Sequence, residues 1–237
     1  MANFLSPLVV GMEPGSIRLP EDFSGQVRLF PLPNLVLFPN NVQPLHIFES
    51  RYREMLEDAV HGDRLIALAT LEPGYEADYY SRPPIARQVC LGLVLDHEKT
   101  EEGTYHIVLI GMWRARIEEE ILPARSFRRA RVQLLDETSG QLASAVAQQL
   151  GRDLADRLLA SLPAAAKLVR QFHQGQITLG ALTDIMAFHL PLDRQFKLQL
   201  LAETNVLQRA RWLLSNLSSP VRGADQPPEA GRGFSEN

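Results

Sequence analysis

One cysteine, Cys90, stands in the 237 residues, which excludes an intramolecular disulfide and any cysteine cage for a metal. The six histidines, at positions 46, 61, 97, 106, 173 and 189, are never three or four apart, so no zinc-binding helix is encoded. Glycine is missing where a phosphate loop needs it. Glu98 precedes the Lys99-Thr100 pair, and Leu93 stands at the position of the leading glycine, so nucleotide hydrolysis is excluded. There is no Gly-x-Ser-x-Gly elbow and no pair of carboxylates from separate elements suited to glycosidase chemistry. No apolar run approaches the roughly 20 residues of a membrane span. The N-terminal "MANFLSPLVVGM" lacks a basic segment and carries Pro7, so a signal peptide is not expected. A net charge of −4 supplies no general attraction to nucleic acid or anionic membrane. A reducing cytoplasm is the expected compartment, and neither a metal nor a cofactor is expected.

What is present is an ordinary globular composition, 45% hydrophobic and 22% charged, with room for one domain or two small ones. Residues 1–25 hold Gly11, Pro14, Gly15, Pro20 and Gly25 and read as a flexible arm. From 26 to 136 the signals are those of strands: "QVRLF", "DRLIALATL", "VCLGLVLD", "YHIVLIG", "WRARI" and "FRRARVQLL". The loop "HEKTEEG" reads as a hairpin connection. Pro31, Pro33, Pro39 and Pro44 each remove a backbone donor, so pairing must stop or change edge there, as in a strongly bent barrel. One helix interrupts the strands at about 50–61. Ser50 is its expected cap, and Tyr52, Met55, Leu56, Ala59 and Val60 form its apolar face.

The second half, 137–217, is helical by pattern. Leu142, Val146, Leu150, Leu154, Leu158 and Leu162 recur every four residues, which predicts a long helix over 139–162. A step of four overruns the helical turn by about 40°, so this stripe winds around the helix and asks for partners on more than one side. Asp193 and Thr204 are candidate caps for two later helices, Pro191 closes one, and His189 is expected to bond a helix-end carbonyl. The tail 218–237 is too polar and too rich in proline and glycine to fold alone.

Four blocks in order carry a family resemblance: "VRLFPLPNLVLFPNNVQPLHIFESRYREML", "EPGYEADYYSRPPIARQVCLGLV", "GMWRARIEEEI" and "FHLPLDRQFKLQLLAETNVLQRARWLLSNL". Together they resemble the substrate-binding domain at the N-terminus of Lon proteases over about 26–217, although Ile110 stands where that family often has glutamate. The second block resembles small free-standing bacterial members. The resemblance implies an α+β fold, a PUA-like β pseudo-barrel followed by a helical bundle. It also implies a non-enzymatic module for binding polypeptide, because the Lon ATPase and peptidase domains lie beyond the part this chain resembles.

For such a module, the expected clients are unfolded or apolar polypeptide segments, and the expected partner is an ATP-dependent protease. Tyr75, Tyr79 and Tyr80, in a loop bounded by proline and glycine, and Trp113 lie outside the periodic core pattern and form the candidate binding surface. The tyrosines could equally close the barrel mouth with their hydroxyls in water, whereas Trp113 is expected to be exposed. Phe38 and Phe48 are assigned to the core, and Cys90 reads as a small buried hydrophobe. Arg125, Arg128, Arg129 and Arg131 around Phe127 offer a rim to the site, or an RNA-binding alternative in which arginine and an aromatic stack bases. Paired with Glu118, Glu119 and Glu120, expected to form a solvated turn, the same arginines would be a plain solvated face. A small-molecule pocket in the barrel mouth is the third reading.

Overall fold

The computed structural model describes residues 19–21, 23–79, 81–122, 125–138 and 144–218. Tyr80, Leu142 and most of the expected arm and tail lie outside them. Six strands form one sheet: β1 (Gln26–Leu32), β2 (Val42–Ile47), β3 (Leu65–Leu71), β4 (Ile85–Lys99), β5 (Tyr105–Glu120) and β6 (Arg128–Leu134). Their order is β2-β5-β4-β3-β1-β6, and a further β5–β6 pairing closes five of them into a barrel with β2 as an added outer strand. Helix α1 (Ser50–Val60) joins β2 to β3, and α2 (Ser144–Ser161), α3 (Ala166–His173), α4 (Leu179–His189), α5 (Arg194–Ala202) and α6 (Val206–Ser218) follow the barrel. The expected order, a β-barrel and then helices, is the one observed.

Strand alternation separates two cores. Val27, Leu29, Ala67, Val89, Leu91, Ala115, Ala130 and Val132 fill the barrel interior. The opposite faces of the same strands join α1 and the helical layer in a larger core containing Phe38, Met55, Cys90, Leu154, Met186 and Leu200. Cys90 is fully buried, as expected, and burial pushes its thiol well above the ordinary range. Pro31, Pro33 and Pro39 lie where pairing stops or changes, but the β2–β5 ladder runs through Pro44, which an edge strand tolerates. β1 pairs with β6 only from Gln26 to Leu29, so Pro31 lies beyond that ladder while β1 continues beside β3. Gly111 sits at an irregular step between β4 and β5, and its backbone bonds Asn40 and Asn41. A β-carbon there would lie 2.2 Å from the Phe38 carbonyl oxygen, inside any tolerable approach. Gly111→Ala is therefore expected to lower stability by about 1–3 kcal/mol, as overpacking does elsewhere, and a thermal melt checks it.

Several local expectations are corrected. The β4–β5 hairpin is tighter than "HEKTEEG", because β4 continues through Lys99 and only Thr100 to Thr104 turn. Glu118, Glu119 and Glu120 end strand β5 and do not form a turn. α1 begins at Ser50 with Glu49 as its cap residue, and that side chain is engaged elsewhere. Asn205, not Thr204, caps α6 by accepting from Gln208 N, whereas Asp193 caps α5 through Gln195 N and Phe196 N as expected. The carbonyl near the α4 terminus, that of Phe188, accepts from Lys197 Nζ at 2.8 Å in place of His189. Along α2, Leu154 and Leu158 are buried but Val146 is exposed, so the winding stripe is covered only in its later turns.

The helical layer is fastened to the barrel by buried charge. Arg114 of β5 donates to Asp184 of α4 and to Glu137, which follows β6. Arg209 of α6 donates to the same Glu137 and to Thr183. Both arginines and Asp184 are buried. Burial opposes the Arg114 charge, but Asp184 and Glu137 outweigh it and raise its pKa. At the other end, Arg194 of α5 reaches the carbonyls of Pro33 and Leu71.

Candidate functional site

The segment that leaves β2 and enters α1 carries Phe48 and, through Glu49 and Arg51, contacts Tyr79 of the β3–β4 loop. Pro44 lies within β2, whose only neighbour among the described residues is β5. A proline in an edge strand must direct its donorless nitrogen away from the ladder. Its carbonyl oxygen is occupied as well, by Gln43 Nε2 at 2.7 Å. This edge is therefore blunted against strand addition at Pro44.

Phe48 was assigned to the core, yet it is 62% exposed, while Phe38 is buried as expected. The period-two pattern of β2 ends at Ile47, whose side chain takes the buried position, and Phe48 is turned outward before the helix begins. The next residue, Glu49, reaches into the β3–β4 loop, where the Tyr79 hydroxyl donates to Glu49 Oε1 at 2.6 Å. Burial, and then this bond to a carboxylate, push the Tyr79 phenol above the usual tyrosine range. Arg51 lies over the rings of Tyr52 and Tyr79, at 4.7 and 5.2 Å, and donates to Glu49. Tyr75 meets Tyr79 at a ring separation of 6.2 Å, within a single 3₁₀ turn that Gly74 enters with φ +85°. Both tyrosines are half-buried, so each keeps part of its ring in solvent.

Trp113 is placed differently. It is half-buried rather than exposed and packs against the barrel-interior cluster together with Ile85 and Leu134. Strand alternation is the cause, since Trp113, Ala115 and Ile117 share the inward parity of β5. Phe48 was missed because its apolar character looked like core. The available signal was its position one residue beyond the last alternating residue of β2.

The arginine cluster is dispersed by the same alternation. Arg128 is buried, donates to Glu120 and, at 2.7 Å, to the Pro83 carbonyl. Arg131 faces the opposite side and pairs with Glu119, while Arg125 pairs with Asp58 of α1. Arg129 lies half-buried opposite Arg28. Burial tends to raise the Asp58 pKa, but Arg28 and then Arg125 overcome it and hold the carboxyl below its ordinary value. Phe127 is buried in the larger core and offers no face for a base. Among the described residues no group of histidine, cysteine and carboxylate side chains could hold a metal ion, and no helix is long and apolar enough to cross a membrane.

Comparison with known proteins agrees with this architecture. The family model of the ATP-dependent protease La (LON) substrate-binding domain matches residues 26–219. Lon protease 2 of Myxococcus xanthus is 28% identical over 226 residues, covering 90% of this chain but 26% of that protein. Lon protease of Desulfosudis oleivorans is 31% identical over 104 residues, 44% of this chain and 12% of that one. The chain thus spans about a quarter or less of the relatives it matches. Among solved structures, the Lon N-terminal domain protein from Xanthomonas campestris superposes with a TM-score of 0.60 at 20% identity, covering 80% of this chain and 97% of that one. The N-terminal domain of Mycobacterium avium complex Lon protease gives 0.62 at 18% identity, with 81% and 97% covered. With a family model covering most of its length and the same fold in both structures, the chain belongs to the Lon substrate-binding domain family.

Proposed function

We propose that this protein is a non-catalytic, cytoplasmic module that binds exposed apolar segments of other polypeptides, as an adaptor or holdase linked to ATP-dependent proteolysis. The observation that carries the reading is Phe48, a large aromatic 62% exposed, one residue before the Glu49 that holds the half-buried Tyr79. Exposed aromatics on rigid supports give up water at little conformational cost and dominate binding energy at protein interfaces. The support here is the Glu49–Tyr79–Arg51 cluster at the start of α1. Tyr80 belongs to the same loop in sequence. The RNA alternative is disfavoured by Arg125, Arg128 and Arg131, each engaged by a carboxylate.

Phe48→Ala is expected to weaken binding of unfolded casein by about 1–2 kcal/mol. Its stability should change by no more than about 0.5 kcal/mol, because the side chain is mostly in water. Tyr79→Ala should weaken binding similarly and cost about 1 kcal/mol of stability through the lost bond to Glu49. Trp113→Ala is the comparison: its half-buried ring should register first in the melting temperature. Casein titrations and melts on the three variants decide the matter. A Phe48→Ala protein that binds casein as tightly as the parent places the binding surface elsewhere.

A further inference from the structure

We propose that the outer face of β2, β5 and the end of β4 is a subsite for the cationic side chains of a client, so that the preferred segments carry lysine or arginine between apolar residues. This rests on the polypeptide-binding reading above and names the substrate class of that site. Two cross-strand rows build the face. His46 lies opposite His106, and His106 opposite Glu98; Pro44 lies opposite Val108, and Val108 opposite Asp96. Residues two apart on each strand share a face, so the two rows are neighbours. They line an open groove of about 340 Å³.

The chemistry of the groove is one-sided. Asp96 and Glu98 are exposed and, among the described residues, neither enters an ion pair. No lysine or arginine is among the residues lining it. Asp58 of α1 and Glu119 and Glu120 of β5, by comparison, are each met by an arginine. Its other lining includes two imidazoles and apolar side chains. Pro44 and Val108 flank the His46 and His106 rings, which stack at 4.8 Å with 24° between their planes. His46 is held in place by a 2.8 Å hydrogen bond shared with Thr104 Oγ1. Phe48 approaches His46 at a ring separation of 5.9 Å, which makes the groove continuous with the proposed apolar anchor. An ammonium or guanidinium laid along the groove meets both carboxylates, its methylene stem covers the imidazoles and Val108, and the neighbouring apolar residue reaches Phe48. Because Pro44 and Gln43 blunt the β2 edge, such a segment lies across the face without adding a strand.

The test uses short fluorescein-labelled peptides that alternate leucine or phenylalanine with lysine, glutamine or glutamate, titrated against the full chain by anisotropy. The lysine peptide should bind roughly five- to tenfold tighter than the glutamine peptide, the glutamate peptide weakest, with the difference shrinking as salt rises. In the Asp96→Asn/Glu98→Gln double variant the three affinities should converge while binding of the glutamine peptide persists. Asparagine at 96 can still accept from His97 N, and both positions are exposed, so far-ultraviolet circular dichroism should match the parent. Peptides that bind without regard to charge, or a charge preference that survives the double variant, overturn the cationic subsite and leave the apolar reading intact. Peptides that bind only through charge, insensitive to Phe48→Ala, overturn the apolar reading instead. No binding by any peptide overturns both.

Discussion

Asp184→Ala should cost about 3–5 kcal/mol of folding stability, the scale for breaking a buried ion pair by removing one partner. The carboxylate is buried between Arg114 of the barrel and Arg209 of α6, and it is the main acceptor for Arg114. Removing it leaves two buried guanidiniums sharing Glu137, which is the more exposed of the two acids. Because the network joins β5, α4 and α6, the loss should reach both halves together, and urea unfolding should remain a single transition at a lower midpoint. The companion variant separates the cost of an orphaned charge from the value of the pair. Arg114→Met with Asp184→Leu removes both partners and should cost distinctly less than Asp184→Ala. A loss below about 1 kcal/mol for Asp184→Ala would mean that the network contributes little to holding the layers together.

Phe127→Ala should cost about 3–5 kcal/mol, the range for deleting a large aromatic from a core. The ring is 1% exposed and belongs to the cluster that joins the barrel to α1 and the helices. Just before it, Arg125 donates to Asp58 and Ser126 to Glu54, so the β5–β6 connection is clasped onto α1 next to the buried ring. This prediction bears on function as well as stability, because a base-stacking role needs Phe127 at the surface. Chemical denaturation of the variant, with a single-stranded RNA titration of the parent, tests both statements. A near-neutral stability change would return the ring to the surface and revive the nucleic-acid reading.

Element type was legible in this sequence wherever a short-range rule governs it. Alternation marked β1 and β6, an unbroken apolar run marked β3, Pro31 marked where the β1–β6 ladder ends, and Asp193 marked the start of α5. Four ordered blocks were enough to point to the Lon family, since each joins turn chemistry to an apolar pattern at set spacings. The candidate site was legible only in part. The tyrosine loop was visible as a break in periodicity, but Phe48 and the His46–His106–Glu98 row were not, because strand partners distant in sequence bring them together.

Tertiary structure alone decided what happens to side chains of identical local character. Arg114 and Arg116 stand two residues apart on the same face of β5. One is buried against Asp184, and the other bonds Gln133 in solvent, because α4 and α6 cover only the first. The arginines of β6 divide likewise, Arg128 inward at a barrel end and Arg131 outward. Asp184 interrupts an otherwise apolar stretch of α4, which is a local sign of a buried partner, yet its partners lie on β5 and α6 and no spacing rule connects them. Local sequence sets the period and the punctuation of the backbone, since those follow from φ and ψ preferences and turn chemistry. Which face of each element meets water is settled only when the sheet closes and the helices dock. On that depend the burial of Phe127, the exposure of Phe48 and the carboxylates of Asp96 and Glu98, which form no ion pair among the described residues.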